Sequence, residues 1–194
     1  MKRYLNAILI LIVLSQTAIA DDKTAVRDLL KSRIDAVMCV LEREDLDGEA
    51  KKDKISEIVQ TIFDFSLMAK LALGKNYWSD LTEENKDRFT KLFTKRLKES
   101  YLRKIDLYTD EKVIYEEPLQ VKKKLHISTS LISKDDKISV LYKLYNSHND
   151  WKIYDIEIQD VSLIRSYRSQ FSESLQSGTI EELMTDMEKM GSDQ

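Results

Sequence analysis

The stretch "WKIYDIEIQDVSLIRSYRSQF", residues 151–171, changes from the period of a strand to the period of a helix. Apolar and polar side chains first alternate, and apolar side chains then recur at helical spacing. The apolar positions are Tyr154, Ile156 and Ile158 in the first half, and Ile164, Tyr167, Phe171 and then Leu175 in the second. Only four residues, 159–162, lie between the halves. The pattern therefore predicts a strand joined directly to a helix.

The first 20 residues, "MKRYLNAILILIVLSQTAIA", predict a secretory signal peptide. They begin with Lys2 and Arg3, continue with an apolar run to Leu14, and end on an A-x-A pattern at Ala20. The apolar run is well short of the roughly 20 residues that a membrane-spanning helix needs. We therefore expect a cleaved leader over residues 1–20, one domain over residues 21–190 and a loose tail over residues 191–194.

Composition excludes several classes of function. The net charge is −3, and the leader carries no acidic residue, so the mature chain is more acidic still. A mildly acidic chain without basic clusters is not typical of nucleic-acid binding and gains no general attraction to anionic lipid. With Cys39 alone there is no intramolecular disulfide. Its apolar neighbours predict a small buried residue.

Before residue 108 the periodicity is helical. One amphipathic stripe runs between Thr24 and Glu44, and a second ends near Asp64, which is placed to cap a short third helix. Gly74 is a stop signal for that helix. Thr82 then opens a longer helix that has acidic residues in its first turn.

After residue 108 the period becomes that of strands. The segments "KVIYEEP", "VKKKLHISTSLIS" and "DKISVLYKLYNSH" each predict one strand, and Pro118 separates the first two. Residues 134–136 and 146–150 predict turns, so consecutive strands pair as an antiparallel meander. Helices followed by strands and then by two closing helices indicate an α+β fold, with helices on one face of a curved antiparallel sheet.

Few residues suit catalysis. His126 and His148 lack metal-ligand spacing, and no nucleophile or phosphate-loop motif occurs. Asp155 with Arg165 or Arg168 is either an active pair or, more in keeping with a lone Asp–Arg pairing, a structural ion pair. Several tyrosines fall on faces that the alternation predicts to be inward. They suit an ordinary core as well as a pocket wall.

Two segments resemble the MlaC, or toluene-tolerance, family. The first is "FDFSLMAKLALGKNYWSDLTEENKDRFTKLFTKRLKESYLRKI", residues 63–105, in which Asp64-Phe65 opens a short helix that ends at Gly74. The second is "WKIYDIEIQDVSLIRSYRSQFSESLQSGTIEELMTDMEKM", residues 151–190, which holds the densest match. Asp160 departs from this family's pattern, which has glycine there. We expect either a less tight turn or an N-cap role for Asp160.

The resemblance implies an NTF2-like fold. N-terminal helices would pack on a curved, mainly antiparallel sheet of about four strands, closed by C-terminal helices around an apolar cavity. It also implies a soluble, monomeric periplasmic carrier that has no cofactor and shuttles phospholipid to maintain outer-membrane lipid asymmetry. The implied partners are an outer-membrane lipoprotein–porin complex and an inner-membrane ABC transporter with an MCE-domain subunit.

We expect the cavity wall to be apolar and aromatic, with Asp155 and Arg168 as structural or pocket-mouth groups. Arg168 is expected to brace Asp155. The candidate wall residues are Phe65, Leu73, Phe89, Phe93, Tyr101, Ile127, Leu131, Val140, Tyr142, Leu144, Ile156, Val161, Leu163, Tyr167 and Phe171.

Two other hypotheses remain open. An NTF2-like enzyme acting on a small hydrophobic substrate would need a titratable group deep in the cavity, and Asp155 is the only candidate. A periplasmic adaptor that binds only protein would need an exposed apolar patch and no cavity.

Overall fold

The structure, a computed structural model, describes residues 2–102, 112–133, 136–148 and 150–190. Within these residues, five helices precede a sheet and two follow it. The helices are α1 (Lys2–Leu41), α2 (Gly48–Ile62), α3 (Phe65–Leu73), α4 (Lys75–Asp80), α5 (Glu83–Leu102), α6 (Leu163–Ser177) and α7 (Ile180–Met190). The strands are β1 (Lys112–Tyr115), β2 (Leu119–Val121), β3 (Lys124–Ile132), β4 (Lys137–Ser147), β5 (Asp150–Ile158) and β6 (Val161–Ser162). The predicted α+β class is confirmed. Within the described part of the chain, no helix is long and apolar enough to cross a bilayer.

The helix ends follow the predicted signals. The Asp64 carboxylate accepts a hydrogen bond of 2.8 Å from the backbone N–H of Leu67, which caps α3 as expected. Gly74 ends α3 with a φ of 92°, a conformation that favours glycine. The Thr82 hydroxyl accepts a bond of 3.2 Å from the N–H of Asn85 at the start of α5. Local capping chemistry therefore sets these boundaries.

The sheet is antiparallel throughout, in the order β1-β3-β4-β5-β6, with β2 also paired to β3. It has six strands in the described residues, against the expected four, because two short ones are added. The segment predicted as one strand divides at Lys122, whose φ is 58°. Val121 therefore ends β2 and pairs across a tight turn with Lys124, the first residue of β3. It does not share a strand with Leu125, as the single predicted strand required. Positions 134, 135 and 149 of the predicted turns lie outside the described residues, as does the predicted tail over 191–194.

A β-bulge bends β5 and changes which of its side chains point inward. Lys143 pairs with Asp155 and Leu144 pairs with Ile153, so Tyr154 is the extra residue. Strict alternation predicted Tyr154 on the inward face, and that prediction is wrong. Its ring lies instead against the ring of Tyr145, with centroids 6.1 Å apart. Ile153 takes the inward position and is buried.

The link between β5 and β6 is a two-residue turn at Gln159 and Asp160. Their φ angles are 49° and 63°, both in the left-handed region that a two-residue hairpin turn uses. The turn is therefore tight in spite of the missing glycine. Asp160 is not the N-cap of α6 either, because Ser162 takes that role through a bond of 3.1 Å from the N–H of Arg165.

The helices cover the sheet in two groups. α1 and α2 pack on each other and contact the sheet through β3 and β5, whereas α6 packs on α3 and β5, and α7 packs on α5 and α6. Cys39 lies on the exposed side of α1, so its predicted burial is wrong. The helical stripe places its core positions at Val26, Leu30 and Val40 instead.

Candidate functional site

An apolar pocket of about 260 Å³ lies between the α1–α2 pair and the inward face of the sheet. α1, α2 and the sheet each supply part of its wall, and Phe63 follows α2 directly. The lining residues are Leu30, Arg33, Ile34, Val37, Met38, Leu41, Ile58, Val59, Ile62, Phe63, Val113, Leu131, Tyr142, Ile153 and Ile156.

Helical and strand periodicities together build this wall. The lining positions of α1 are spaced by three and four residues from Leu30 to Leu41, so one face of the helix points at the pocket. On the sheet, Tyr142 pairs with Ile156, and Leu131 pairs with Val113. Directly opposite partners lie on the same side of a sheet, so both residues of each pair face the pocket.

Two polar side chains interrupt the apolar lining. Tyr142 is half-buried, and the desolvation of its phenol raises its pKa to about 12. Among the described lining residues, Arg33 is the only charged one, and its Nε is buried without a hydrogen-bond partner. Sequence reasoning missed Arg33. Arg33 lies three residues after Leu30 and four before Val37, which places it on the apolar face of α1. A cation on that face was the signal in the sequence that could have identified it.

Three of the predicted wall residues lie in this pocket: Leu131, Tyr142 and Ile156. Most of the others pack in the core outside it. Phe65, Leu73, Phe89, Phe93, Tyr101, Ile127, Val140, Leu144, Leu163, Tyr167 and Phe171 are buried or half-buried there. Val161 is 58% exposed, so it does not occupy the inward position expected for it.

The aromatic residues of α5 and α6 form a cluster that joins these helices. The ring centroids of Phe93 and Tyr167 are 5.2 Å apart, and those of Phe89 and Phe171 are 5.6 Å apart, both edge to face.

Neither α6 nor α7 contributes to the pocket lining. α6 packs on α3 and β5, and α7 packs on α5 and α6. The helices that cover this pocket are α1 and α2.

Asp155 is a structural residue of the joint between β5 and α6. Its buried carboxylate accepts bonds from Lys143 Nζ at 3.0 Å, from the Ser162 hydroxyl at 2.8 Å and from the N–H of Ile164 at 3.2 Å. It pairs across the sheet with Lys143, one residue away from Ile156, and therefore lies on the face opposite the pocket. The single titratable candidate of the enzyme hypothesis thus lies outside the cavity.

Arg168 does not brace Asp155, and that expectation is wrong. Its guanidinium donates from Nε to the backbone carbonyl of Leu71 at 2.9 Å, and from Nη2 to the same oxygen. Leu71 lies in the last turn of α3, whose carbonyls lack helical partners. Arg168 therefore ties α6 to the end of α3.

Polar contacts connect α1 to β1 beside the pocket. The Tyr115 hydroxyl lies 3.4 Å from the Asp35 carboxylate, and Lys31 Nζ is 5.6 Å from the centre of the Tyr115 ring. Burial and the nearby Asp35 raise the pKa of Tyr115 well above its usual range. Arg27 pairs with Glu117 on the loop after β1. These partly exposed contacts hold α1 against the sheet edge.

The fold and the pocket define an α+β protein with an apolar cavity between two helices and a curved antiparallel sheet. Such a site suits an apolar ligand, and among the described residues no group of His, Cys, Asp or Glu side chains is placed to hold a metal ion. The family model described as "MlaC protein" matches residues 31–189. The chain therefore belongs to the MlaC family.

Solved structures include a similar one. A phospholipid-binding protein from Ralstonia solanacearum, in complex with a phospholipid, is 21% identical with a TM-score of 0.75. The match covers 86% of this chain and 96% of that one. At this identity the likeness establishes the fold. No curated protein sequence matches the chain significantly.

Proposed function

We propose that this protein is a periplasmic phospholipid carrier. In this proposal it shuttles lipid between an outer-membrane lipoprotein–porin complex and an inner-membrane ABC transporter with an MCE-domain subunit, and so maintains outer-membrane lipid asymmetry. The observation that carries the proposal is the apolar pocket under α1 and α2 in a chain of the MlaC family. The phospholipid in the similar Ralstonia solanacearum structure supports the same ligand class.

The energetics of lipid transfer require a pocket of this kind. An acyl chain of about 16 carbons exposed to water costs ~13 kcal/mol, at ~0.8 kcal/mol per methylene. A carrier must recover most of this free energy to extract lipid. Its affinity for the lipid must not exceed that of the bilayer so far that the lipid is never released. The apolar lining supplies the first requirement. The headgroup would remain near water at the pocket mouth.

The pocket must widen to take two acyl chains. Its 260 Å³ is below the range of about 300–1,000 Å³ that is usual for pockets holding drug-sized ligands. The helices α1 and α2 pack on each other, and their hold on the sheet edge includes partly exposed polar contacts such as Arg27 with Glu117. We infer that the pocket widens at this edge, because such exposed ion pairs cost little to break, whereas the buried Val26 and Leu30 keep α1 on the core.

Mass spectrometry of organic extracts tests the proposal. The protein is exported to the periplasm of a Gram-negative host and purified without detergent. Its extract is compared with that of an equal amount of a periplasmic protein that does not bind lipid. We expect about one phospholipid per protein chain, and a mature N-terminus at Asp21. Freshly purified protein that contains no phospholipid, and that takes none from vesicles, would contradict the carrier function.

A further inference from the structure

Arg33 is a cation in the wall of the apolar pocket. The other lining residues that the structure describes are aliphatic, methionine, phenylalanine or the neutral Tyr142. The side chain is half-buried, and its Nε is enclosed and has no hydrogen-bond acceptor. A buried donor without an acceptor costs free energy, and a guanidinium costs more than a neutral group. The position therefore calls for an explanation that the apolar pocket alone does not supply.

The neighbouring charges do not supply the missing acceptor. On α1, the carboxylate of Asp35 accepts from Lys31 Nζ and from the Tyr115 hydroxyl. On the loop after β1, Glu117 accepts from Arg27. Those cations thus have protein partners, whereas no described carboxylate pairs with Arg33.

We propose that Arg33 binds the phosphate of the phospholipid whose acyl chains fill the pocket, an inference that rests on the proposed function. A guanidinium presents a planar fork of N–H donors that fits phosphate oxygens. Arg33 lines the pocket and is only half-buried, so its guanidinium can hold the phosphate where the apolar wall meets water. Because the contact is to the phosphate, which all phospholipids share, it selects no particular headgroup.

The competing explanation is that Arg33 only covers apolar surface with its stem. In that case Leu at position 33 would fill the same space, and lipid binding would not depend on the charge. The two explanations differ in one measurable respect, which is whether removing the guanidinium weakens the binding of phosphate-bearing lipids more than that of a phosphate-free lipid with the same tails.

The experiment uses Arg33→Leu and Arg33→Lys, with Arg43→Leu as the matched control. Arg43 is an exposed arginine just beyond α1 that is paired with Asp45 and does not line the pocket. Delipidated protein is incubated with vesicles containing dioleoylphosphatidylcholine, dioleoylphosphatidylglycerol or dioleoylglycerol, or with oleate, and bound lipid is quantified after re-isolation. Circular dichroism and thermal melts check that each variant is folded. If Arg33→Leu does not fold, Arg33→Met replaces it.

We expect Arg33→Leu to weaken the binding of both phospholipids by between about tenfold and 100-fold, the range of one charge-assisted hydrogen bond. Dioleoylglycerol binding should change little, Arg33→Lys should retain part of the affinity, and Arg43→Leu should match the wild type. Equal phospholipid binding by folded Arg33→Leu would overturn the assignment of Arg33 and leave the carrier function intact. Wild-type protein that takes up no lipid would instead overturn the carrier function. Uptake of oleate alone, lost in Arg33→Leu, would identify a carboxylate as the ligand and overturn the phosphate proposal.

Discussion

The Ser162 hydroxyl donates a hydrogen bond of 2.8 Å to the Asp155 carboxylate, and both side chains are buried. The same hydroxyl oxygen accepts from the N–H of Arg165 and so caps α6. One pair of side chains therefore joins the end of the sheet to the first turn of α6. This relationship explains why the strand and the helix follow each other so closely.

Replacing Asp155 with Ala should destabilise the fold. The substitution removes the acceptor of Ser162, Ile164 and one contact of Lys143, and we expect a loss of about 3 kcal/mol in the free energy of unfolding, measured by urea denaturation. Asp150→Ala is the control on the same strand, because Asp150 makes only an exposed pair with Lys152 and should cost less than about 1 kcal/mol. An equal effect of the two substitutions would contradict the structural role of Asp155.

A bulky residue in the pocket wall should exclude lipid. Val59 lines the pocket from α2, and Val59→Trp should lower co-purifying phospholipid several-fold at a cost of about 1–3 kcal/mol in stability. Val161→Trp makes the same change at an exposed site, and there we expect wild-type lipid content. Organic extraction with mass spectrometry measures both. If Val161→Trp alone reduced bound lipid, the site would lie near β6, where the sequence pattern first placed part of the wall.

Glycine at position 160 should stabilise the turn between β5 and β6. A side chain in the left-handed region costs roughly 1–2 kcal/mol, partly offset by the greater backbone entropy of glycine in the unfolded chain. We expect Asp160→Gly to raise the free energy of unfolding by about 0.5–1 kcal/mol, and Asp160→Ala to lower it. A lower urea midpoint for both variants than for the wild type would show that the aspartate side chain itself holds the turn.

Alkaline pH should weaken the fold partly through Tyr142. Its folded-state pKa of about 12 exceeds the value of about 10 for an unfolded chain. The neutral phenol therefore contributes its full stability below pH 10, and this contribution is lost as the pH rises from 10 to 12. Tyr142→Phe has no such group, so it should lose up to about 2 kcal/mol less than the wild type over that window. Urea denaturation at pH 9 and pH 11.5 measures the difference, and parallel losses would contradict it.

Much of the fold follows from patterns that are local in the chain. Asp64 and Gly74 bound α3 where the capping signals predicted, and the periods of the helices and long strands were readable because each buries one face. The division at Lys122 escaped prediction, since an L-residue with φ of 58° has no strong composition signal. The bulge at Tyr154 escaped it as well, because alternation assumes an unbroken register.

The candidate site depended on information that the sequence alone does not contain. Residues such as Phe93 and Tyr167 carry the apolar and aromatic character expected of a wall, but any apolar residue suits a filled core equally well. Periodicity shows which face is buried, and it does not show whether the space in front of that face is filled. Arg33 was missed because a single cation on an apolar helix face has no evident role in the sequence. Its place in the pocket lining becomes clear only in the folded protein.

The α+β class, the helix caps and the resemblance to the MlaC family were readable from the sequence, because capping, alternation and motif spacing act between residues close in the chain. The position of the cavity, its cover of α1 and α2, and the contact of Arg168 with Leu71 in place of Asp155 became evident from the folded protein. These features depend on distances between residues far apart in the chain. Such distances are set by how the elements pack as a whole, which no short stretch of sequence specifies.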